Sequence, residues 1–265
     1  MVEINCDIKG EDIIKNEQFL NRVLHGDCLE WMPKIEDKSI DMILCDLPYG
    51  TTKCKWDDII PFELLWKEYE RIIKDNGAIV LTGSQPFTSA LVMSNPKMFK
   101  YEIIWNKVTV SNPMLAKKQI LKSHENILVF YKKQSTYNPQ MEKGKMWRRG
   151  GSNTTKSRAL DIDMKRTYED DKTDLKYPKS IQTFSNADNT KRVHPTQKPV
   201  PLFEYLIRTY TNEGETVLDN CLGSGTTAVA CINTNRDFIG IEKEWDYCEI
   251  ANERIKQTVR NKQRS

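Results

Sequence analysis

Four consecutive residues carry the most chemistry in this 265-residue chain: Asp46, Leu47, Pro48 and Tyr49, followed by Gly50. They close an apolar run, 40–45, that reads as a buried strand. A carboxylate beside a backbone carbonyl, here that of Leu47 or Pro48, offers two acceptors suited to the N–H bonds of an exocyclic nucleobase amine. Such an amine is a weak nucleophile because its lone pair is delocalised into the ring. Acceptors on its protons localise that pair toward an incoming methyl group. Tyr49 adds an aromatic face on which a base turned out of its helix can stack. None of this needs a metal or a covalent nucleophile. Taken alone, the same tetrapeptide is more often an ordinary strand-end turn.

A second constellation lies near the carboxy terminus. Residues 217–227 read Val-Leu-Asp-Asn-Cys-Leu-Gly-Ser-Gly-Thr-Thr, a strand running through a glycine turn into a helix. Glycines let the backbone approach a ligand, and the helix amino terminus offers unpaired N–H groups to an anionic group. Glu242 ends the next strand, 17 residues after Gly225, where a doubly wound fold presents a carboxylate to ribose hydroxyls. Ala228 stands where a dinucleotide fingerprint would place its third glycine, so a carboxylate-bearing nucleoside ligand fits this turn better than a pyrophosphate.

These residues must be positioned by a sheet. Strands are predicted at 22–26, 40–45, 78–82, 101–105, 127–131, 216–220 and 238–242, most of them nearly continuous apolar runs suited to burial on both faces. Phe62, Leu65, Trp66, Tyr69, Ile72 and Ile73 fall on one face of a helix, with Pro61 at its first turn and Gly77 just past its end. Further helices are predicted at 199–210, 226–233 and 246–257. Alternating strands and helices imply an α/β fold, a doubly wound and mostly parallel sheet whose carboxyl strand ends bring Asp46, Gly223 and Glu242 to one crevice. From 132 to 192 the periodicity dissolves into polar, Gly/Ser/Thr-rich sequence, an insertion of the length that usually serves as a lid or binding region.

Composition narrows the function classes. The apolar runs are far shorter than the roughly 18–20 residues of a membrane helix, and residues 1–20 lack the apolar core and cleavage site of a secretory signal, so a cytoplasmic protein without membrane contact is expected. Seven cysteines show no C-x-x-C spacing and are read as reduced and mostly structural; with only three histidines, no metal site is expected. No cysteine follows a proline, which excludes the Pro-Cys nucleophile of cytosine carbon-5 methylation. The net charge of +3 conceals an asymmetry: residues 107–160 hold 12 Lys/Arg against 2 Asp/Glu. Such a patch is either a solvated loop or a surface for a polyanion.

Three motifs in one order, Asp46-Leu-Pro-Tyr49, then His194-Pro-Thr-Gln-Lys-Pro199, then Asp219-Asn-Cys-Leu-Gly-Ser-Gly-Thr-Thr227, resemble the β group of DNA amino-methyltransferases. These enzymes modify adenine N6 or cytosine N4 with S-adenosylmethionine. The resemblance covers nearly the whole chain apart from the insertion. It implies a seven-stranded Rossmann-like methyltransferase sheet with circularly permuted motif order: residues 1–132 as the catalytic half, 133–192 as the target-recognition insertion and 193–265 as the cofactor half. Asp46, Leu47, Pro48 and Tyr49 would be catalytic. Gly223, Ser224, Gly225, Thr226 and Thr227 would line the methionine end of the cofactor beside Asp219, Glu242 would bind ribose and Asp27 would contact adenine. Thr196 and Lys198 would help hold the cofactor. Asp27 also reads as a plain helix cap, and Glu242 as a strand-end acid.

The resemblance further implies double-stranded DNA as partner, with Lys143, Lys145, Arg148, Arg149, Lys156 and Arg158 as contacts from the insertion. Lys117 and Lys118 would contribute from the loop 108–123. A homodimer is compatible with the family. Two positions depart from the family pattern: Leu47 replaces the more frequent proline, and Asn220-Cys221 stands where Pro-Phe is common. The expected activity is transfer of a methyl group to the N6 amine of a flipped adenine, because members acting on cytosine N4 more often begin the tetrapeptide with Ser. N4-cytosine methylation is the alternative within the same machinery. A silent DNA-binding relative and a nicotinamide dehydrogenase are the rivals outside it.

Overall fold

The computed structural model describes residues 16–50, 57–144, 174–186 and 197–264. In chain order the elements are β1 (Arg22–His25), α1 (Cys28–Trp31), β2 (Ile40–Cys45), α2 (Phe62–Ile72), β3 (Ile73–Gly83), α3 (Phe87–Ser94), β4 (Phe99–Asn106) and β5 (His124–Phe130). There follow β6 (Glu142–Lys143), β7 (Leu175–Lys176), β8 (Ile181–Thr183), α4 (Val200–Tyr210), β9 (Thr216–Asp219), α5 (Thr226–Asn233), β10 (Asp237–Glu242) and α6 (Trp245–Arg264). Contacts divide the chain into two units, Met1–Asn138 with Ser180–Ser265, and Pro139–Lys179.

The first unit is an eight-stranded sheet of order β1-β10-β9-β2-β3-β5-β4-β8. Its first five strands are parallel, and β5 runs antiparallel to both β3 and β4. The seven expected strands are all present, and an eighth, β8, joins the edge parallel to β4 through Ile104↔Ile181 to Asn106↔Thr183. Its three residues alternate exposed, buried, exposed, too short a pattern to stand out in a polar stretch.

Period-two alternation splits the core between the faces of the sheet. Ile43 and Cys45 of β2, Ile79 and Leu81 of β3, and Leu128 and Phe130 of β5 pack with α1, α2 and α3. Met42, Leu44, Val80, Ile127 and Val129 face the other way, toward α4, α5 and α6. The result is a three-layer α/β/α sandwich in which β2 is wholly buried, which explains its apolar character; its one charged residue, Asp41, is paired with Lys74 and accepts from Thr216 N–H. On α2, Leu65, Trp66, Tyr69 and Ile72 are buried at helical spacing.

One local expectation is corrected. Gly77 does not follow the end of α2; the helix stops at Ile72, Ile73 opens β3, and Gly77 lies inside that strand. It sits where the β2–β3 register shifts between Ile40↔Ile73 and Met42↔Ala78. A Cβ there would meet the Asp41 carbonyl oxygen at 2.8 Å and the Ile73 side chain at 2.7 Å, so close backbone approach rather than helix termination requires the glycine. Helix α3 lacks amphipathic spacing, its buried Phe87, Thr88 and Leu91 lying amid further apolar residues, and has no counterpart among the predicted elements.

The second unit contains the antiparallel pair β6–β7, with Glu142↔Lys176 and Lys143↔Leu175. Gly144 N–H extends the ladder by donating to the Asp174 carbonyl at 2.6 Å.

Candidate active site

Strands β2 and β9 are parallel neighbours, with Met42↔Val217 and Ile43↔Leu218 in register. From β9 the chain winds through α5 to β10 on one side, and from β2 through α2 to β3 on the other. Their carboxyl ends therefore meet at the topological switch point, where open α/β sheets bind ligands. A cavity of about 440 Å³ opens there, lined by the Asp46–Tyr49 loop, the Asp219–Ser224 loop, Glu242 and Asp27. The catalytic and cofactor motifs, more than 150 residues apart in sequence, share it.

The Asp46 loop is held by its own backbone. Asp57, buried, accepts from the N–H groups of Tyr49 (2.8 Å) and Gly50 (3.0 Å), and Gly50 has a φ of +66°. Leu47 is buried in the core, so the residue that replaces the family's proline is anchored by packing. The Tyr49 ring stacks on Phe87 with centroids 5.1 Å apart. The Tyr49 hydroxyl donates to Asp46 Oδ1 at 2.7 Å, and the Thr82 hydroxyl donates to the same oxygen. Burial, then the Asp46 charge, push the Tyr49 phenol well above its ordinary value, so it stays protonated as a donor.

The Lys198 side chain reaches across the cavity wall to the Asp46 carboxylate. Its Nζ lies 2.5 Å from Asp46 Oδ2 and 3.5 Å from Glu125 Oε2, while Glu125 Oε1 accepts from Lys107 Nζ at 2.9 Å. Four alternating charges, Asp46, Lys198, Glu125 and Lys107, thus line one side of the cavity. Burial works against the Lys198 ammonium, but Asp46 and Glu125 outweigh it and hold the pKa above the lysine norm. For Glu125 burial is likewise overcome, by Lys198 and then Lys107, leaving it below the usual carboxylate value.

At the cofactor end, Gly223 and Gly225 take φ values of +54° and +84°, which glycine adopts without strain. A Cβ on Gly225 would lie 2.9 Å from Ala251 Cβ, so α6 packs directly against this turn. Arg254 of α6 donates to the Ser224 carbonyl at 2.5 Å and to its Oγ at 3.0 Å. Asp219 accepts from Cys221 N–H at 3.1 Å and from the Thr227 hydroxyl. Burial nevertheless pushes its carboxyl up to about 7. Glu242 caps the loop from the next strand, accepting from Gly223 N–H (2.6 Å) and Glu244 N–H (2.8 Å), and burial raises its pKa too. The Thr226 hydroxyl reaches the Lys198 carbonyl at 3.5 Å.

Asp27 caps α1 and also lines the cavity. One oxygen accepts from Leu29 N–H at 2.9 Å as the cap of α1, and the other lies 3.4 Å from Lys243 Nζ at the cavity rim. Asn220 is buried and accepts from the Tyr69 hydroxyl at 2.5 Å, which explains an amide where Pro-Phe is common. Lys117 and Lys118 are exposed in a segment that also exposes Met114 (94%) and Ile120 (96%), and Lys143 is exposed in the second unit. Thr196, Lys145, Arg148, Arg149, Lys156 and Arg158 lie outside the described residues.

Glu125, Lys107, Asp57, Thr82 and Arg254 belong to no motif that spacing revealed. Only Glu125 and Lys107 left a trace, as charged residues at the ends of apolar strand patterns in a stretch otherwise read as basic. The residues present fit a nucleoside cofactor carrying an amino-acid tail. The cavity has the volume of a small-molecule site. One end offers the Glu242 carboxylate, and the glycine turn leads into α5, whose amino terminus no side chain caps.

The doubly wound sheet and the crevice shared by the two motifs place this chain among α/β proteins that bind ligands at a topological switch point. The DNA methylase family of N6/N4 enzymes matches residues 40–253, and the chain belongs to it. The family is S-adenosylmethionine-dependent. Among similar proteins are the type II methyltransferase M2.DpnII of Streptococcus pneumoniae, 28% identical over 95% of this chain and 97% of that protein, and the DNA adenine methyltransferase YhdJ of Escherichia coli K12, 28% identical over 88% and 82%. The crystal structure of the M1.HpyAVI–SAM complex superposes with a TM-score of 0.61 at 25% identity, covering 88% of this chain and 98% of that one.

Proposed function

We propose that this methyltransferase acts on the N6 amine of an adenine turned out of double-stranded DNA. The observation that carries the reading is Asp46: its carboxylate stands at the cavity wall, fixed by Tyr49, Thr82 and Lys198, where it accepts from an amine entering the crevice. Asp rather than Ser at this position favours adenine, and a relative named as an adenine methyltransferase matches most of the chain. When bound, S-adenosylmethionine supplies an electrophilic methyl group on a sulfonium. The protein's part is positioning and hydrogen bonding: Asp46 and a neighbouring carbonyl hold the amine protons, and the amine nitrogen attacks in line. Transfer would leave the cofactor as a neutral thioether, and the methylated amine, held by Asp46, would release one proton to solvent. Gly223 to Thr227, Asp219, Glu242 and Asp27 bind the cofactor, and the basic residues of 133–192 with Lys117 and Lys118 contact DNA.

The variant Asp46→Ala tests the assignment. Transfer is expected to fall by about 10²–10³ or more, while cofactor affinity by titration calorimetry stays within a few-fold. Loss of cofactor binding with transfer per bound cofactor intact would contradict the role given to Asp46.

A further inference from the structure

We propose that Lys198 is a base-reading residue: with Asp46 it forms an acceptor–donor pair complementary to the amine and adjacent ring nitrogen of the flipped base. This rests on the amine-methylation reading above and deepens it.

An ionised carboxylate has about four acceptor positions, two per oxygen. On Asp46, Oδ1 accepts from both Tyr49 and Thr82, and Oδ2 accepts from Lys198. Among the described residues, the remaining position is on Oδ2, so an entering amine is directed to the oxygen beside Lys198. That ammonium has three donors. One is given to Asp46 at 2.5 Å, while Glu125 Oε2 stands 3.5 Å away as an ion-pair partner without a hydrogen bond, so donor capacity remains on a residue that lines the cavity. Glu125 is itself held by Lys107, and Lys107 by Ser111 Oγ at 2.8 Å, so the pair rests on a fixed wall rather than on a free lysine arm.

Adenine presents its N6 amine donor next to the N1 acceptor, and cytosine presents N4 next to N3. The two nitrogens share one ring carbon, so a reading pair must stand side by side. Oδ2 and Nζ, 2.5 Å apart, do so. Guanine and thymine reverse the pattern, with a keto acceptor beside an N–H donor, and would set like against like at both positions. Asp46 and Lys198 therefore admit amino bases and reject keto bases before any methyl transfer. The Lys198 backbone stays at the cofactor loop through Thr226, which reconciles its place in the motif with the reach of its side chain.

The test uses the native protein. Its site is first mapped from methylated genomic DNA, and duplexes are then made with adenine, 1-deazaadenine or 7-deazaadenine at the target. Removing ring N1 deletes the acceptor without weakening the amine as a nucleophile. The expected result is a kcat/KM roughly 10- to 100-fold lower for 1-deazaadenine, the worth of one charged hydrogen bond, with 7-deazaadenine close to adenine. In Lys198→Met the adenine to 1-deazaadenine ratio should collapse toward one even though overall activity falls. Equal rates on all three native duplexes, or equal losses with both analogues, would overturn the inference while leaving amine methylation standing. Methylation of cytosine would overturn the adenine assignment and move the same test to 3-deazacytosine. No methylation of any amine in the mapping step would overturn both.

Discussion

Asp219 and Asp46 end neighbouring strands of one crevice, yet their partners give them separate work. Asp46 meets an ammonium and two hydroxyls, whereas Asp219 is enclosed and holds its proton near neutrality, at about 7, because burial outweighs its hydrogen bonds. Its folded pKa lies above the ordinary 3.8, so its contribution to stability is full below about pH 4 and is lost as pH rises through 7. Glu242, also raised by burial, adds a slope of the same sign. Without cofactor, the melting temperature should therefore fall between pH 5 and pH 8, and Asp219→Asn should flatten that fall by at least about 2–4 °C, the shift made by about 1 kcal/mol in a domain of this size. An unchanged slope in the variant, measured by calorimetry, would remove Asp219 as its source. Asp46, Gly225 and Glu242 were legible because each sits at a fixed offset from a strand end. Lys198 was legible as a site residue, but spacing says nothing about the reach of a side chain, and its ammonium lies on Asp46. Glu125 and Lys107 join the site through their pairing across β4 and β5 and through the contact of Glu125 with Lys198, more than 70 residues away, which no local pattern records.

At the scale of elements, the crevice depends on a tight turn between β9 and α5. Gly225 joins a left-handed φ of +84° to contact with Ala251 of α6. Gly225→Ala imposes both left-handed strain and a clash, each of order 1–3 kcal/mol. Cofactor affinity should drop at least about tenfold and the melting temperature should fall with it. Native affinity and stability together would show that the turn relaxes freely and that the α6 contact does not shape the site. Strands β2, β9 and β10 and helix α5 were readable because short, mostly apolar runs ending at a carboxylate and a glycine turn have few other folds. Helix α3 was not, since Phe87–Ser94 shows no amphipathic contrast, and Gly77 misled because a glycine after a helical pattern resembles a stop signal even inside a strand.

For the molecule as a whole, charge separates what folds from what binds. The 12 bases and 2 acids of 107–160 contrast with an excess of acids elsewhere in the sequence, a distribution that favours contact of this segment with a polyanion. Lys117 and Lys118 are exposed and fully available to phosphates. Replacing both with Ala should reduce the slope of log K for DNA against log salt by about 1.8, at about 0.9 per phosphate contact. An unchanged slope would take that loop out of the interface. The α/β class and the meeting of the two motifs were legible at this scale; the β8 edge and the β6–β7 pair were not, because segments of two or three residues paired across dozens of others leave no periodic trace.

The proposed activity is methylation of an adenine amine in DNA. The most direct measurement is to incubate the protein with unmethylated genomic DNA and isotope-labelled S-adenosylmethionine, digest to nucleosides and identify the labelled species by mass spectrometry. Labelled N6-methyladenine is the predicted product. Labelled N4-methylcytosine would contradict the base assignment, and DNA carrying no label from a protein that binds the cofactor would contradict the activity itself.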